Sequence, residues 1–136
     1  MKIVIIGGGG VGRYLATALT EDAEVVVIDR DPANLAEVED SVDALTLRGD
    51  ATHRATLRQA EVHKADLVVA VTGSDTVNVA AAALAADMGA LRSVARVDDP
   101  GFYETKAAHE SQVLGIHAVL CASRLVAAEL LRMLTG

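Results

Sequence analysis

A chain of 136 residues, 51% hydrophobic but 2% aromatic and without tryptophan, has room for one domain that buries about two-thirds of the surface of its unfolded form, and none for a cofactor domain joined to a substrate domain. Its formal charge of −7 excludes a surface for nucleic acid or anionic lipid, which needs clustered Lys and Arg. The apolar run Ile3 to Ile6 is too short for a signal-peptide core, no stretch approaches the roughly 18 apolar residues of a membrane span, and a single cysteine fits a reducing cytoplasm.

The chain opens on KIVIIGGGGVG, Lys2 to Gly12. It reads as a buried strand, a turn that needs glycine, and the first turn of a helix. Gly7, Gly9 and Gly12 fill the three slots of G-x-G-x-x-G: the first makes the turn, the second lets a pyrophosphate approach the backbone, and the third lets helix and strand pack closely. Gly10 and Val11 lie between the last two, where backbone N–H groups of the helix end face phosphates. Four glycines also fit a flexible turn without ligand. Val11 to Glu21 carries Val11, Leu15, Ala18 and Leu19 at helical spacing, and Glu24 to Asp29 is a β-branched strand. Asp29 stands 17 residues after Gly12, near the spacing at which an acid meets the ribose hydroxyls. Strand, glycine turn, helix, strand and acid in that order favour nucleotide binding over the empty turn, or over an Asp29 that merely caps the next loop.

Asp31 and Pro32 read as an N-cap and first helical residue, predicting a helix over Pro32 to Asp40. Ala44 to Leu47 is a short strand ending at Gly49-Asp50-Ala51-Thr52. Leu57 and Ala60 mark a brief helix before an exposed Glu61 to Lys64. Asp66 to Val71 is the fourth strand, and it breaks at Thr72-Gly73-Ser74, where Ser74 caps a long helix reaching Gly89. Arg92 to Val97 is a fifth strand, Asp99-Pro100 caps another helix, and Ile116 to Leu120 is a sixth strand feeding a terminal helix from Ser123. A core of Val, Ala, Leu and Ile suits parallel strands covered on both faces. The expected fold is α/β, a Rossmann-like doubly wound parallel six-stranded sheet of order 3-2-1-4-5-6, with a ligand crevice at the carboxyl ends of strands one and four.

That crevice collects the glycine turn, Asp29 with Arg30, Asp50 with Ala51, Thr72, Gly73 and Ser74, and Arg96. Asp50 and Ser74 also serve as turn and cap residues, which is compatible with binding. Arg96 is expected to reach the pyrophosphate rather than pair with Asp98 or Asp99. A carboxylate at Asp29 within about 4 Å of a 2′-phosphate repels it by several kcal/mol at an effective dielectric near 20, so NADP is disfavoured, although Arg30 blunts the effect. Cys121, in HAVLCAS, reads as a small buried hydrophobe rather than a nucleophile or redox sensor.

Five blocks, KIVIIGGGGVGRYLA, VVVIDRDP, the GDAT of Gly49 to Thr52, ADLVVAVTGSDTVN and the ARVDDP of Ala95 to Pro100, make the chain resemble the nucleotide-binding N-terminal domain of regulators of potassium conductance (RCK N-terminal or TrkA-N), found in Trk- and Ktr-type potassium-uptake regulatory subunits. The resemblance runs over nearly the whole chain. It implies a cytoplasmic module that binds NAD(H) or an adenine nucleotide (ATP, ADP or AMP), forms a homodimer or a larger ring, and gates a membrane potassium channel or transporter. By it, Gly7, Gly9 and Gly12 line the phosphates, Asp29 holds the ribose, Asp50 and Ala51 border the adenine, and Thr72 to Asp75 meet the rest. Some ATP-responsive members carry arginine between the second and third glycines, where this chain has Gly10-Val11 and delays its arginine to Arg13. Residues 1–136 are expected to be this domain alone, without the C-terminal effector lobe usual in the family.

Two other functions compete with gating: a redox or nucleotide sensor for another partner, and an NAD-dependent oxidoreductase. The enzyme needs a proton donor or acceptor beside the cofactor, and His53, His63, His109 and His117 are placed by no motif. No catalytic or metal-ligating residue is therefore assigned. Of Arg124 to Thr135, so many residues are apolar that the terminal helix needs two partners. Val126, Leu130, Met133 and Leu134 are expected to pack on the chain's own sheet, leaving Ala127 and Leu131 for a second subunit or, alternatively, for an effector lobe.

Overall fold

A computed structural model describes residues 1–99 and 115–135. Its elements are β1 (Lys2–Ile6), α1 (Gly10–Leu19), β2 (Glu24–Asp29), α2 (Pro32–Ser41), β3 (Leu45–Arg48), α3 (Arg54–Gln59), β4 (Leu67–Ala70), α4 (Asp75–Asp87), β5 (Ser93–Val97), β6 (Ala118–Cys121) and α5 (Ala122–Thr135), with a 3-10 turn at Val62–Lys64. All six strands are parallel, in the order β3-β2-β1-β4-β5-β6. This is the doubly wound sheet the sequence predicts. Strand order reverses between β1 and β4, which pair in parallel with Ile5 opposite Val69, and a crevice opens beyond their carboxyl ends.

The sheet is central because its inner strands are apolar on both faces, which only a covered parallel sheet tolerates. Successive β1 side chains point to opposite sides. Val4 and Ile6 join Val26, Ile28, Leu57, Val68, Ala81 and Ala85 in one core layer. Ile3 and Ile5 join Ala16, Val25, Val27, Leu35 and Val38 in the other. Leu57, Val38, Val4 and Ile5 are fully enclosed, so truncating Leu57 or Ile5 to alanine costs about 2–5 kcal/mol.

Local chemistry sets the helix ends. Asp31 accepts the amide of Ala33 at 2.9 Å with Pro32 at the first helical position, and Ser74 accepts the amide of Val77 at 3.3 Å. Gly89, at φ +106°, closes α4 with two backbone bonds, Ala90 N to Ala85 O at 3.0 Å and Gly89 N to Ala86 O at 3.1 Å, a termination that favours glycine in the left-handed region.

Several boundaries differ from expectation. The sixth strand begins two residues late, because Ile116 turns into the core ahead of it. The helix expected after Asp99-Pro100 lies outside the described residues, as does His109. The terminal helix does not lie on the sheet: Val126, Leu130, Met133 and Leu134, expected to pack there, are 59%, 54%, 70% and 83% exposed. Leu125 and Leu131 are exposed too. The edge strand β6 anchors only the start of α5, and Cys121 at that junction is buried, with its Sγ 3.3 Å from Ser123 Oγ. Among the described residues no helix is long and apolar enough to cross a membrane.

Candidate functional site

A cavity of about 450 Å³ occupies the crevice. The ends of four strands wall it: Gly7 and Gly9 after β1, Asp29 and Arg30 after β2, Asp50 and Ala51 after β3, and Thr72, Gly73 and Ser74 after β4. Nine of the sequence-predicted residues are thus brought together in space.

The glycines divide their tasks as their spacing implies. Gly7 has φ +113°, and a Cβ there would sit 3.0 Å from the Thr72 amide nitrogen. At Gly12 a Cβ would lie 1.7 Å from the Gly7 carbonyl oxygen, so Gly12 serves close packing of α1 and does not line the cavity. A Cβ on Gly9 would meet no atom within 4 Å. The space in front of Gly9 is open to a ligand. No side chain caps the N-terminus of α1 and no acid stands in its first turn, so its orphan N–H groups and dipole favour an anion. Gly10 and Val11 form that first turn and are exposed, beside the cavity but outside its wall.

Asp29 is the best-connected acid of the site. Its Oδ2 accepts the Gly8 amide at 2.7 Å and Asn34 Nδ2 at 3.1 Å, and its Oδ1 accepts the Asp31 amide at 2.8 Å. A carboxylate offers about four acceptor positions, which leaves one for an incoming hydroxyl. Asp50 is held by Thr52, whose hydroxyl and amide donate to Oδ1 at 2.6 and 2.9 Å. Those bonds, the hydroxyl's first, keep the Asp50 carboxyl below the usual aspartate range.

The far wall depends on Asn78, 1% exposed. Its Oδ1 accepts from the Thr72 amide at 2.8 Å and the Thr72 hydroxyl at 2.6 Å, while Nδ2 donates to the carbonyls of Thr72 at 3.0 Å and Arg96 at 2.8 Å. Asn34 and Asn78 are absent from the sequence expectation. For Asn78 a signal existed: it falls at i, i+4 and i+7 with Ala82 and Ala85 on the buried face of α4, where a polar residue needs partners.

Arg96 departs from expectation. Its guanidinium donates to Asp98, Nε to Oδ1 at 3.1 Å and Nη2 to Oδ2 at 3.3 Å, and it does not line the cavity. Residues i and i+2 of an extended chain share a face, so the local carboxylate wins. Arg13 is likewise bonded to Glu37. His53, His63 and His117 stand outside the cavity wall, and His117 Nδ1 accepts the Ser93 amide at 3.2 Å. Among the described residues no three of His, Cys, Asp and Glu gather as a metal site.

The TrkA-N domain family model matches residues 3–122. A Trk system potassium uptake protein TrkA homolog of Archaeoglobus fulgidus is 33% identical over 134 residues, covering 98% of this chain and 30% of that protein. The Trk system potassium uptake protein TrkA of Vibrio alginolyticus is 31% identical over 137 residues, again 98% of this chain and 30% of the relative. The chain therefore spans about a third of the length of these relatives. Among solved structures, the TrkA-N domain of the inner membrane protein ybaL from Escherichia coli superposes with a TM-score of 0.82 at 19% identity, covering 98% of this chain and 96% of that one. The GsuK channel bound to NAD gives 0.77 at 18%, covering 95% and 23%. A Shewanella denitrificans Kef CTD in AMP-bound form gives 0.71 at 19%, covering 100% and 83%. At these identities the structural matches show the fold.

Proposed function

The chain belongs to the TrkA-N domain family, and from that premise we propose that it is a cytoplasmic regulatory module that binds NAD(H) or an adenine nucleotide in the crevice and passes its nucleotide state to a membrane potassium channel or transporter. One observation carries the binding step: an uncapped glycine helix end and a carboxylate with a spare acceptor position face one cavity large enough for a nucleoside and its phosphates. In this reading the phosphates sit over Gly7, Gly9 and the first turn of α1, the ribose donates to Asp29, the adenine lies against Asp50 and Ala51, and Thr72 to Ser74 meet the remainder. The names of the relatives support a role in potassium uptake, and the NAD-bound GsuK channel and the AMP-bound Kef domain support the ligand class.

The module acts as a homodimer through α5, at the inner face of the membrane, and performs no turnover. Mass spectrometry of ligand released from the purified protein, followed by calorimetry with NADH and AMP, tests the binding step. Failure of both to bind overturns it. Potassium uptake in a deletion strain tests the regulatory step, and unchanged uptake there overturns it.

A further inference from the structure

We propose that His117 is a proton-operated latch on the edge strand β6: neutral, its ring closes the β5–β6 ladder, and protonated, it opens that end of the strand and loosens α5. The latch lies outside the crevice and needs no ligand there. Both backbone groups of Ser93 face His117. The Ser93 carbonyl accepts the His117 amide at 2.9 Å, and the Ser93 amide donates to His117 Nδ1 at 3.2 Å. A ring nitrogen accepts only while it carries no proton, so this bond requires the neutral imidazole with its hydrogen on Nε2. His117 is exposed, and solvent protons reach the ring. Ser93 is 0% exposed, and its own hydroxyl is buried without a partner. When the ring takes up a proton, two N–H groups oppose each other and the Ser93 amide has neither water nor a spare acceptor beside it.

The protonated ring has somewhere else to go. A cavity of about 460 Å³ opens beside it, lined by Ala83, Leu84, Ala86 and Asp87 of α4. This is the carboxyl end of that helix, whose last turn carries no basic residue, and a cation is favoured there. The charged and titratable groups near the ring come from three places. Asp87 of α4 lines the same cavity and is held by Arg54 of α3 at 2.7 Å. Arg92 precedes Ser93 in the chain, and His63, in the 3-10 turn, stands against Gly89 at the end of α4. Among the described residues none of these bonds to the His117 ring, whose partner is Ser93.

Topology decides what the latch holds. Strand β6 has one neighbour, β5, and pairs with it only from Ala118 opposite Val94 to Cys121 opposite Val97. His117 stands at the entry to that short ladder. Helix α5 follows directly, and its described side chains from Leu125 onward are exposed, so β6 ties the helix to the domain. Opening the ladder at His117 frays β6 from its first residue and loosens α5 with it. The contribution is fully present while the ring is neutral and is lost as pH falls through the histidine range.

Hydrogen exchange on the whole chain at about pH 8 and about pH 5.5, either side of the ordinary histidine value near 6.5, tests this. Rates are read as protection factors, which removes the pH dependence of exchange itself. On acidification the amides of Ser93 and of Ala118 to Cys121 are expected to lose roughly tenfold or more of their protection, while those of β1 and β4 keep theirs. His117→Asn offers an acceptor that does not titrate and is expected to hold β6 equally at both values. Unchanged protection of Ser93 and β6 in the parent chain overturns the latch, and so does an equal loss in the asparagine variant. Should that variant lose its cooperative melt, nitrogen NMR of the parent decides: the Ser93 amide and His117 Nδ1 are expected to shift together in one titration, and a Ser93 amide that stays still while His117 titrates overturns the proposal.

Discussion

Asp29 Oδ2 holds the amide of Gly8 at 2.7 Å, a bond that ties the end of β2 to the turn after β1. The acid expected to meet a ribose is therefore also a strut of the glycine turn. Asp29→Ala removes both functions, and NADH affinity is expected to fall by roughly 1.5 to 3 kcal/mol, about ten- to a hundredfold. The same change removes the charge that opposes a 2′-phosphate, so the preference for NADH over NADPH should shrink. Calorimetry with both cofactors measures this, and unchanged affinities would remove Asp29 from the site.

Gly9 and Gly12 separate binding from folding. Gly9→Val places its side chain in open space, where a pyrophosphate would approach, so it should abolish nucleotide binding and leave circular dichroism and thermal melting native. Gly12→Ala forces a methyl into the Gly7 carbonyl and should cost about 3 kcal/mol or more by pushing α1 off β1. If the valine variant still binds, the open space at Gly9 serves no ligand.

Asp50 gives a pH prediction with a definite sign. Thr52 lowers its folded pKa below the ordinary value of 3.8. Its stabilising contribution is therefore fully present above the unfolded value near 3.8 and is lost as pH falls through the lower folded value. Thr52→Val deletes the larger of the two bonds while the Thr52 amide persists, so the Asp50 titration should move part of the way back up. Carbon-detected NMR of the carboxyl groups reads the shift directly. An Asp50 titration identical in the two proteins would show that the hydroxyl does not hold it.

The alternating and fully apolar runs make the strands legible, since period-two placement and Gly or Asp breaks report directly on a covered parallel sheet. The glycine spacing likewise reveals which residues share the cavity. What stays hidden is the layer behind them. Asn34 reaches Asp29 from another element, and Asn78 bridges Thr72 to the Arg96 carbonyl across 18 residues, relationships that exist only once β-strands and helices are docked. Arg96 is a different case, because its pairing with Asp98 is local and the i, i+2 rule reveals it.

Asn78 turns that hidden layer into a stability test. Asn78→Ala strands the Thr72 amide and two carbonyls in a buried position, which should cost on the order of 1–3 kcal/mol and loosen the Thr72–Ser74 wall. Asn78→Asp keeps the shape but sets carboxylate oxygen against both carbonyls, and should cost more. Urea melts of the two variants rank them, and an aspartate variant as stable as the parent would refute the donor role of Nδ2.

The terminal helix supplies the last prediction. Helix α5 has 14 residues, a length at which an isolated helix is marginal in water, and every described side chain from Leu125 onward is exposed. The apolar residues cover more than one face, since Val126, Leu130 and Met133 stand with Leu125 and Leu131 outside the core. A helix in this state needs a partner to hold it. A second copy of the chain would satisfy that need by packing α5 against its own equivalent, a self-complementary contact of the kind a two-fold dimer makes. Leu131→Glu would then bury an unpaired charge at the contact and split the dimer, while the monomer keeps its melt because Leu131 touches none of the core. Light scattering at tens of micromolar is the measurement. A monomer for the parent chain, or an undisturbed dimer for the variant, would assign α5 to a different partner.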